Sequence, residues 1–292
     1  MPNKDTYMTC GDDGTLRMWS ISQRKMIAAI NLNVDNKGIL TGPNPKTKDL
    51  VDSSKLRTID VNPSGNTVAV GSVDGTLKFV AIDQTTLKFR ASFKAHDKWI
   101  GDIKFSPDNT KMATGGHDSK LKIYSISPLK LLGTSGSVAH SAVDHIDWSV
   151  DSNYLHVNTQ DYELLFFKAD KCQQLTSGAS ALKDEDYATW TAKLGWPVQG
   201  IWRSEYKGSD INCCVRSKKS FDTGYRLFAV GTDFKTIQLY RYPVLVKNSE
   251  CNEFRAHGSH LTRMRFSNDD SYLLSIGGED QCTMQWRVEP TN

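Results

Sequence analysis

Phe93-Lys94-Ala95-His96, Phe105-Ser106-Pro107-Asp108, Met112-Ala113-Thr114-Gly115-Gly116-His117-Asp118 and Leu121-Lys122-Ile123-Tyr124 belong to one continuous pattern. It opens on a small residue and a histidine. An apolar alternation follows, then a turn, a second alternation, a Gly-x-x-Asp turn and a third alternation that ends on an aromatic. Alternation with a period of two marks strands with one buried face. The pattern recurs, with variations, along the whole chain. Self-similarity at ~40–45 residues per unit predicts repeated blade-like sheets and therefore a β-propeller. The predicted class is all-β, and a chain built this way is a binding scaffold before any catalytic question arises.

Six copies of the hairpin formed by a blade's two middle strands are legible. They begin at Tyr7, Val68, Lys111, Tyr154, Leu227 and Tyr272, and close on Trp19, Phe79, Tyr124, Phe167, Tyr240 and Trp286. Asp13-Gly14 and Asp74-Gly75 supply the turn chemistry that positive φ angles demand. A preceding strand is visible in Leu56–Val61, Ile100–Phe105, Val143–Trp148 and Leu261–Phe266. Each runs into a tetrapeptide of turn residues, such as Ser106-Pro107-Asp108-Asn109. These units resemble WD40 repeats, and the resemblance covers essentially the whole chain, residues 1–292, as a single propeller domain.

The chain opens on the second strand of a blade and closes on the third strand of another. The first and last blades are therefore expected to be incomplete, and the sequence to be the C-terminal part of a longer protein or an incomplete gene product. Two polar stretches, Asn33 to Ser54 and Thr176 to Asp186, interrupt the rhythm and read as surface loops.

Composition sets bounds on function. A net charge of +3 is far short of a nucleic-acid-binding balance. The cysteines Cys10, Cys172, Cys213, Cys214, Cys251 and Cys282 show no CxxC pair and read as free thiols of a reducing compartment. Cys213 and Cys214 share a strand, so their side chains should face opposite ways. No apolar run is long enough to span a bilayer, and the polar start is no signal peptide. The expected placement is the cytoplasm.

The histidines carry structural information. His96, His140 and His257 precede Asp118, Asp161 and Asp280 by a nearly constant interval. In WD40 repeats such a histidine, a strand hydroxyl, the turn aspartate and a tryptophan form a buried relay. The third repeat supplies His96, Thr114 and Asp118, with Tyr124 at the tryptophan position. The sixth supplies His257, Asp280 and Trp286, with Ile276 at the hydroxyl position. The first has Thr9, Asp13 and Trp19. Val70, Val157 and Ala229 replace the hydroxyl elsewhere. The relay therefore reads as degenerate, and the His–Asp pairs as structural rather than catalytic.

His257-x-x-His260 near Cys251 lacks a fourth zinc ligand, and His257 already belongs to the repeat. The phosphate, dinucleotide and nucleophile-elbow signatures are absent, so neither an enzyme nor a cofactor is expected. Basic residues gather at Arg203, Lys207, Arg216, Lys218 and Lys219, the candidate partner-binding patch. Arg263 and Arg265 add to it from the sixth blade, and Trp190, Trp196, Trp202 and Tyr206 flank it. The competing reading of these charges is an ordinary solvated face.

The most specific stretch is the fifth repeat. It runs Leu194-Gly195-Trp196-Pro197-Val198-Gln199-Gly200-Ile201-Trp202, then Ser209-Asp210-Ile211-Asn212 through Arg216-Ser217, then Gly231-Thr232-Asp233-Phe234-Lys235 and Arg241-Tyr242-Pro243. Together with Ile276–Asp280 and Met284–Val288, it resembles the last propeller of the echinoderm microtubule-associated protein-like family. Thr232 and Lys235 depart from that family's D-D-F-G turn, and Arg203 stands where it has proline. The resemblance implies a microtubule and cytoskeletal role, tubulin as partner, and oligomerisation through regions outside this segment. It makes the Arg203–Lys219 patch and the 33–54 loop the candidate contacts. The alternative is a general scaffold that recruits signalling proteins or peptides.

Overall fold

The Asp-Gly turns behave as their chemistry predicts. In a computed structural model that describes residues 5–33, 55–136, 140–206, 210–219 and 224–289, Gly14 and Gly75 stand at φ of +72° and +82°. A Cβ on Gly75 would lie 2.1 Å from the His96 carbonyl oxygen, so a side chain does not fit. Ser119, Tyr162, Lys235 and Gln281 hold the same left-handed conformation in the equivalent turns, at a cost of about 1–2 kcal/mol each. Local bonds offset that cost. Asp118 Oδ1 accepts the N–H of Lys120 at 3.3 Å, and Asp280 Oδ1 accepts that of Cys282 at 3.1 Å. In the fifth repeat Thr232 Oγ1 accepts the N–H of Phe234 at 3.2 Å, so the turn survives its departures from the family pattern.

Turns from first to second strand follow a Ser-x-Asp rule. Ser106, Ser149 and Ser267 hydroxyls donate to Asp108, Asp151 and Asp269 at 2.5, 2.6 and 2.8 Å. Each serine oxygen also accepts a strand N–H, from Lys111, Tyr154 or Tyr272. The hydroxyl of Ser271, and then that of Ser267, pull the Asp269 carboxyl down to about 2 even though burial opposes ionisation.

The chain forms six antiparallel sheets with neighbouring strands in sequence order, in two compact units, Met1–Glu185 and Asp186–Asn292. In the first unit, β1 (Thr6–Cys10), β2 (Thr15–Ser20) and β3 (Lys25–Asn31) form one sheet. The second sheet holds β4 (Leu56–Val61), β5 (Thr67–Ser72), β6 (Thr76–Asp83) and β7 (Thr86–Lys94). The third holds β8 (Ile100–Phe105), β9 (Lys111–Gly116), β10 (Leu121–Ile126) and β11 (Leu129–Thr134). The fourth holds β12 (Val143–Trp148), β13 (Tyr154–Thr159), β14 (Leu164–Lys168) and β15 (Gln173–Gln174).

In the second unit, β16 (Ile211–Arg216), β17 (Arg226–Thr232), β18 (Thr236–Tyr242) and β19 (Asn252–Arg255) form the fifth sheet. The sixth holds β20 (Leu261–Phe266), β21 (Tyr272–Gly277) and β22 (Thr283–Arg287). All six expected hairpins are present, in an all-β propeller fold. The first and last sheets have three strands among the described residues, as the sequence led one to expect.

Apolar faces of successive sheets close on one another. Met18 and Leu16 of the first sheet pack with Val68, Val70 and Val80 of the second. Ala113 and Ile123 of the third pack with Ile146, Leu155 and Val157 of the fourth. In the second unit Cys213 lies among Leu261 and Met264 of the sixth sheet, whereas Cys214 lies among Trp190, Ala192 and Val198. The adjacent thiols do face opposite ways, and all six cysteines are free.

The reading of 176–186 as irregular loop needs correction. It contains a short helix, α1 (Gly178–Ala181), where a Cβ on Gly178 would lie 2.3 Å from Phe166, so glycine permits the close contact. Residues 34–54 of the other polar stretch, and Lys207 of the basic patch, lie outside the described residues.

Candidate protein-interaction surface

The polar relay sets the frame. His96 Nδ1 meets Asp118 Oδ1 at 2.9 Å and its Nε2 meets Thr114 Oγ1 at 2.8 Å. Burial pushes the His96 imidazole below its ordinary value despite the aspartate, so the neutral ring is favoured. Burial opposes ionisation of Asp118 as well, but the N–H of Asp97 and the imidazole outweigh it and hold the carboxyl low. Both ring nitrogens of His96 are committed to these bonds.

The sixth sheet overturns the sequence reading. Its hydroxyl is Ser275, not Ile276: Ser275 Oγ lies 2.7 Å from His257 Nε2 and accepts Trp286 Nε1–H at 2.8 Å, while His257 Nδ1 meets Asp280 at 2.9 Å. The relay is complete there. Register explains the slip. Thr114 pairs with Ile103, and Ser275 holds the matching place opposite Met264. By the same rule Val230, opposite Cys214, occupies the hydroxyl position of the fifth sheet instead of Ala229.

His140 is a second correction. Its side chain is 79% exposed and bonds Glu163, so it joins no relay with Asp161. In the first sheet Trp19 Nε1 donates to Thr9 Oγ1 at 2.8 Å, and Asp13 instead pairs with Arg17.

Sequence reasoning missed a polar seam along the first strands of the first unit. Asp102 and Lys104, two residues apart on β8, share a face and form a buried pair at 3.1 Å. Asp102 also accepts the Ile146 N–H at 3.0 Å, and Asp60 accepts that of Phe105 at 2.8 Å, linking successive sheets. A fully buried His156–Asp147 contact of 3.1 Å adds to it. Charged residues inside alternating strands were the available signal.

The predicted basic patch does not form one cluster. Arg216 is buried, with a side chain 5% exposed. Its Nη2 donates to the Tyr187 carbonyl, its guanidinium stacks on Tyr242 at 5.1 Å, and Asp186 lies 3.8 Å away. Arg216 is therefore not a surface contact residue: it anchors the segment before β16 from within. Lys218 and Lys219 are exposed on the turn after β16. There Lys218 Nζ donates to Asn268 Oδ1 at 2.7 Å, and the Lys219 N–H donates to Asp270 at 2.7 Å.

Arg203 lies at the other edge of the fifth sheet, beside Cys251 at the start of β19. Three strand spacings of ~4.8 Å separate those edges, about 14 Å.

The unusual stretch 194–202 folds around its own residues. Pro197 opens a 3-10 helix, Trp196–Ile201, whose first residue stays 68% exposed. Gly195 stands at φ +136°, and a Cβ there would meet the Trp190 ring at 2.5 Å. A Cβ on Gly200 would lie 2.4 Å from the Val246 carbonyl oxygen. Two backbone bonds of 2.8 Å, Gly200 N–H to Val244 O and Val244 N–H to Pro197 O, hold the turn on the segment after β18. The Trp202 indole N–H caps the Lys193 carbonyl at 3.0 Å.

Arg203 emerges from this turn. Nη2 donates to Cys251 Sγ at 2.8 Å, and the guanidinium lies 5.9 Å from the Tyr206 ring centre. Burial works against its charge, but the Tyr240 hydroxyl and Cys251 outweigh that and hold the guanidinium protonated. Tyr240 donates onward to Gln238 Oε1 at 2.9 Å, and Gln238 donates to Tyr206 and Glu253. Burial pushes the Tyr240 hydroxyl up. The arrangement presents a fixed cation and aromatic faces, which suits recognition rather than bond breaking. No group of three or more metal-ligating side chains is present among the described residues.

Comparison with known proteins is consistent over the whole length. Residues 1–288 match the family described as "Echinoderm microtubule-associated protein second beta-propeller". The chain is 33% identical over 290 residues to the 77 kDa echinoderm microtubule-associated protein of Strongylocentrotus purpuratus, covering 98% of this chain and 38% of that protein. It is 32% identical to human echinoderm microtubule-associated protein-like 3, covering 98% of this chain and 29% of the relative. It is 31% identical to the ciliary WD repeat-containing protein ctxp80 of Euplotoides octocarinatus, covering 98% and 39%. The chain thus spans well under half the length of each.

Proposed function

This chain belongs to the echinoderm microtubule-associated protein family, whose second β-propeller it matches over residues 1–288, and from that premise we propose that it is a non-catalytic cytoskeletal module that docks tubulin. The single observation that carries the reading is that match. The relatives' names speak of microtubules and cilia, which favours a cytoplasmic, cytoskeletal placement. No helix among the described residues is long and apolar enough to cross a membrane.

The contact surface in this reading takes in basic residues from both edges of the fifth sheet. Lys218 and Lys219 offer charge on one turn and Arg203 offers it at the opposite edge, with Lys207 between them in sequence. An acidic partner is attracted by such a surface in a salt-dependent way. Arg216 contributes only by holding the surface in place.

The test is co-sedimentation of the folded chain with assembled microtubules, and capture of free tubulin, across a salt series. Retention that weakens steadily with salt, and falls about tenfold on Lys218→Glu/Lys219→Glu, is the expected result. A well-folded chain that retains neither form at low salt removes the proposal.

A further inference from the structure

The 3-10 turn at 196–201, the Arg203–Tyr206 turn and the segment 245–248 enclose a cleft of about 500 Å³. Its walls are Trp202, Tyr206 and Leu245, and its polar groups include Arg203, Ser204 and Lys247. That volume falls within the range of about 300–1,000 Å³ typical of small-ligand sites. We propose that this cleft binds an acidic linear peptide that places a large apolar side chain beside its carboxylates.

Charge selects the occupant. The two charged side chains lining the cleft, Arg203 and Lys247, are both cationic. Lys247 is exposed, and among the described residues no ion pair or hydrogen bond engages it. Arg203 pairs with Glu205 at 3.9 Å, and the Glu205 side chain is 63% exposed, so the contact is weak. The Arg203 guanidinium is already fixed by Cys251 and Tyr206, so little rotamer freedom is lost when it pairs with a carboxylate.

Shape selects the apolar component. Trp202 and Leu245 form apolar wall, and Trp196 and Val246 stand 68% and 71% exposed on the same two segments. Tryptophan, tyrosine and arginine, all present here, are the residue types enriched at binding hot spots. A polyanion without apolar groups would leave that surface wet. The Ser204 N–H donates to Asn248 Oδ1 at 3.0 Å, which ties the two flanking turns together. Gly200 and Gly195 are the positions that let the tryptophan-bearing turn lie this close.

This site shares Arg203 with the tubulin surface proposed above but rests on the cleft's own geometry, and it concerns peptides of this chemistry from any source. The test uses the folded chain and fluorescein-labelled peptides in three sets: acidic with one Phe, Tyr or Leu; acidic with none; and neutral with one. Fluorescence anisotropy should show saturable binding of the first set alone. Lys247→Glu should weaken it about tenfold, whereas Lys218→Glu, the same change in net charge on the opposite edge of the sheet, should weaken it far less; an equal loss in both would overturn the proposal. Hydrogen exchange with bound peptide should slow at 196–206 and 244–249, a readout that needs no variant. Equal binding of the second set, indifference to Lys247→Glu, or protection confined to another surface would each overturn the proposal. Tubulin retention unaffected by the winning peptide leaves this site standing and assigns tubulin elsewhere.

Discussion

Ser275 carries two bonds with one oxygen, to His257 at 2.7 Å and from Trp286 at 2.8 Å. It is fully buried, so its loss leaves the imidazole nitrogen with nothing to replace it. Trp286 is only partly buried, and water reaches part of the difference. Ser275→Ala should therefore destabilise the chain by about 2 kcal/mol, read from denaturant midpoints. Ile276, one residue along, points to the opposite face of β21 and has no part in the relay. The sixth relay was misread from sequence for this reason. Ser275 and Ile276 are adjacent, and a slip of one residue exchanges the faces of a strand. Only the pairing of Ser275 with Met264 removes the ambiguity.

His96 gives a pH dependence with a definite sign. Its folded value lies below the ordinary 6.5, chiefly because burial disfavours the imidazolium. The unfolded chain then binds the extra proton first, so stability is fully present above pH 6.5 and declines as pH falls below it. His117, half-buried against Trp99, shifts in the same direction and adds to the slope. Melting temperature should be level from pH 8 down to the neutral range and then drop. Part of that slope should vanish in His96→Gln. A melting temperature that rises on mild acidification would contradict the neutral-imidazole assignment.

At the scale of elements, the strands and hairpins were legible because alternation and turn residues are local signals. The six hairpins, the opposite facing of Cys213 and Cys214, and the three-stranded first and last sheets all follow from them. The surface was less legible. Arg216 sits at the end of β16, where sequence shows a charge but cannot show the Tyr242 ring and Tyr187 carbonyl that come from distant segments to bury it. The cleft depends likewise on Leu245 and Lys247, about 45 residues from the Trp202 they face.

Arg216 also yields a test of the element it anchors. Arg216→Met keeps the bulk but loses the charged bond to Tyr187, and should cost about 2 kcal/mol. Amides of 187–202 should exchange faster, while those of β20 to β22 stay protected. Arg216→Glu buries a carboxylate beside Asp186 and should express poorly. Loss of partner binding in that variant would report unfolding, not a contact.

At the scale of the whole molecule, the difficulty is separating a patch from a net charge. The chain carries +3, and reversing two lysines takes it to −1. Any acidic partner would then be held more weakly wherever it docks, because long-range attraction follows the summed charge. A matched control settles which effect operates. Lys88 on β7 and Lys130 on β11 are exposed on the last strands of their sheets in the first unit, and Lys88→Glu/Lys130→Glu produces the same net charge.

Screening confines an exposed charge's influence to about 8–10 Å at ordinary salt, so the two pairs diverge as salt rises. At low salt both double variants should lose microtubule retention. Near physiological salt the Lys88/Lys130 variant should recover most of it, and the Lys218/Lys219 variant should not. Equal recovery of both would mean that tubulin is drawn by the molecule's overall charge, and the basic turn after β16 would lose its place as the docking surface.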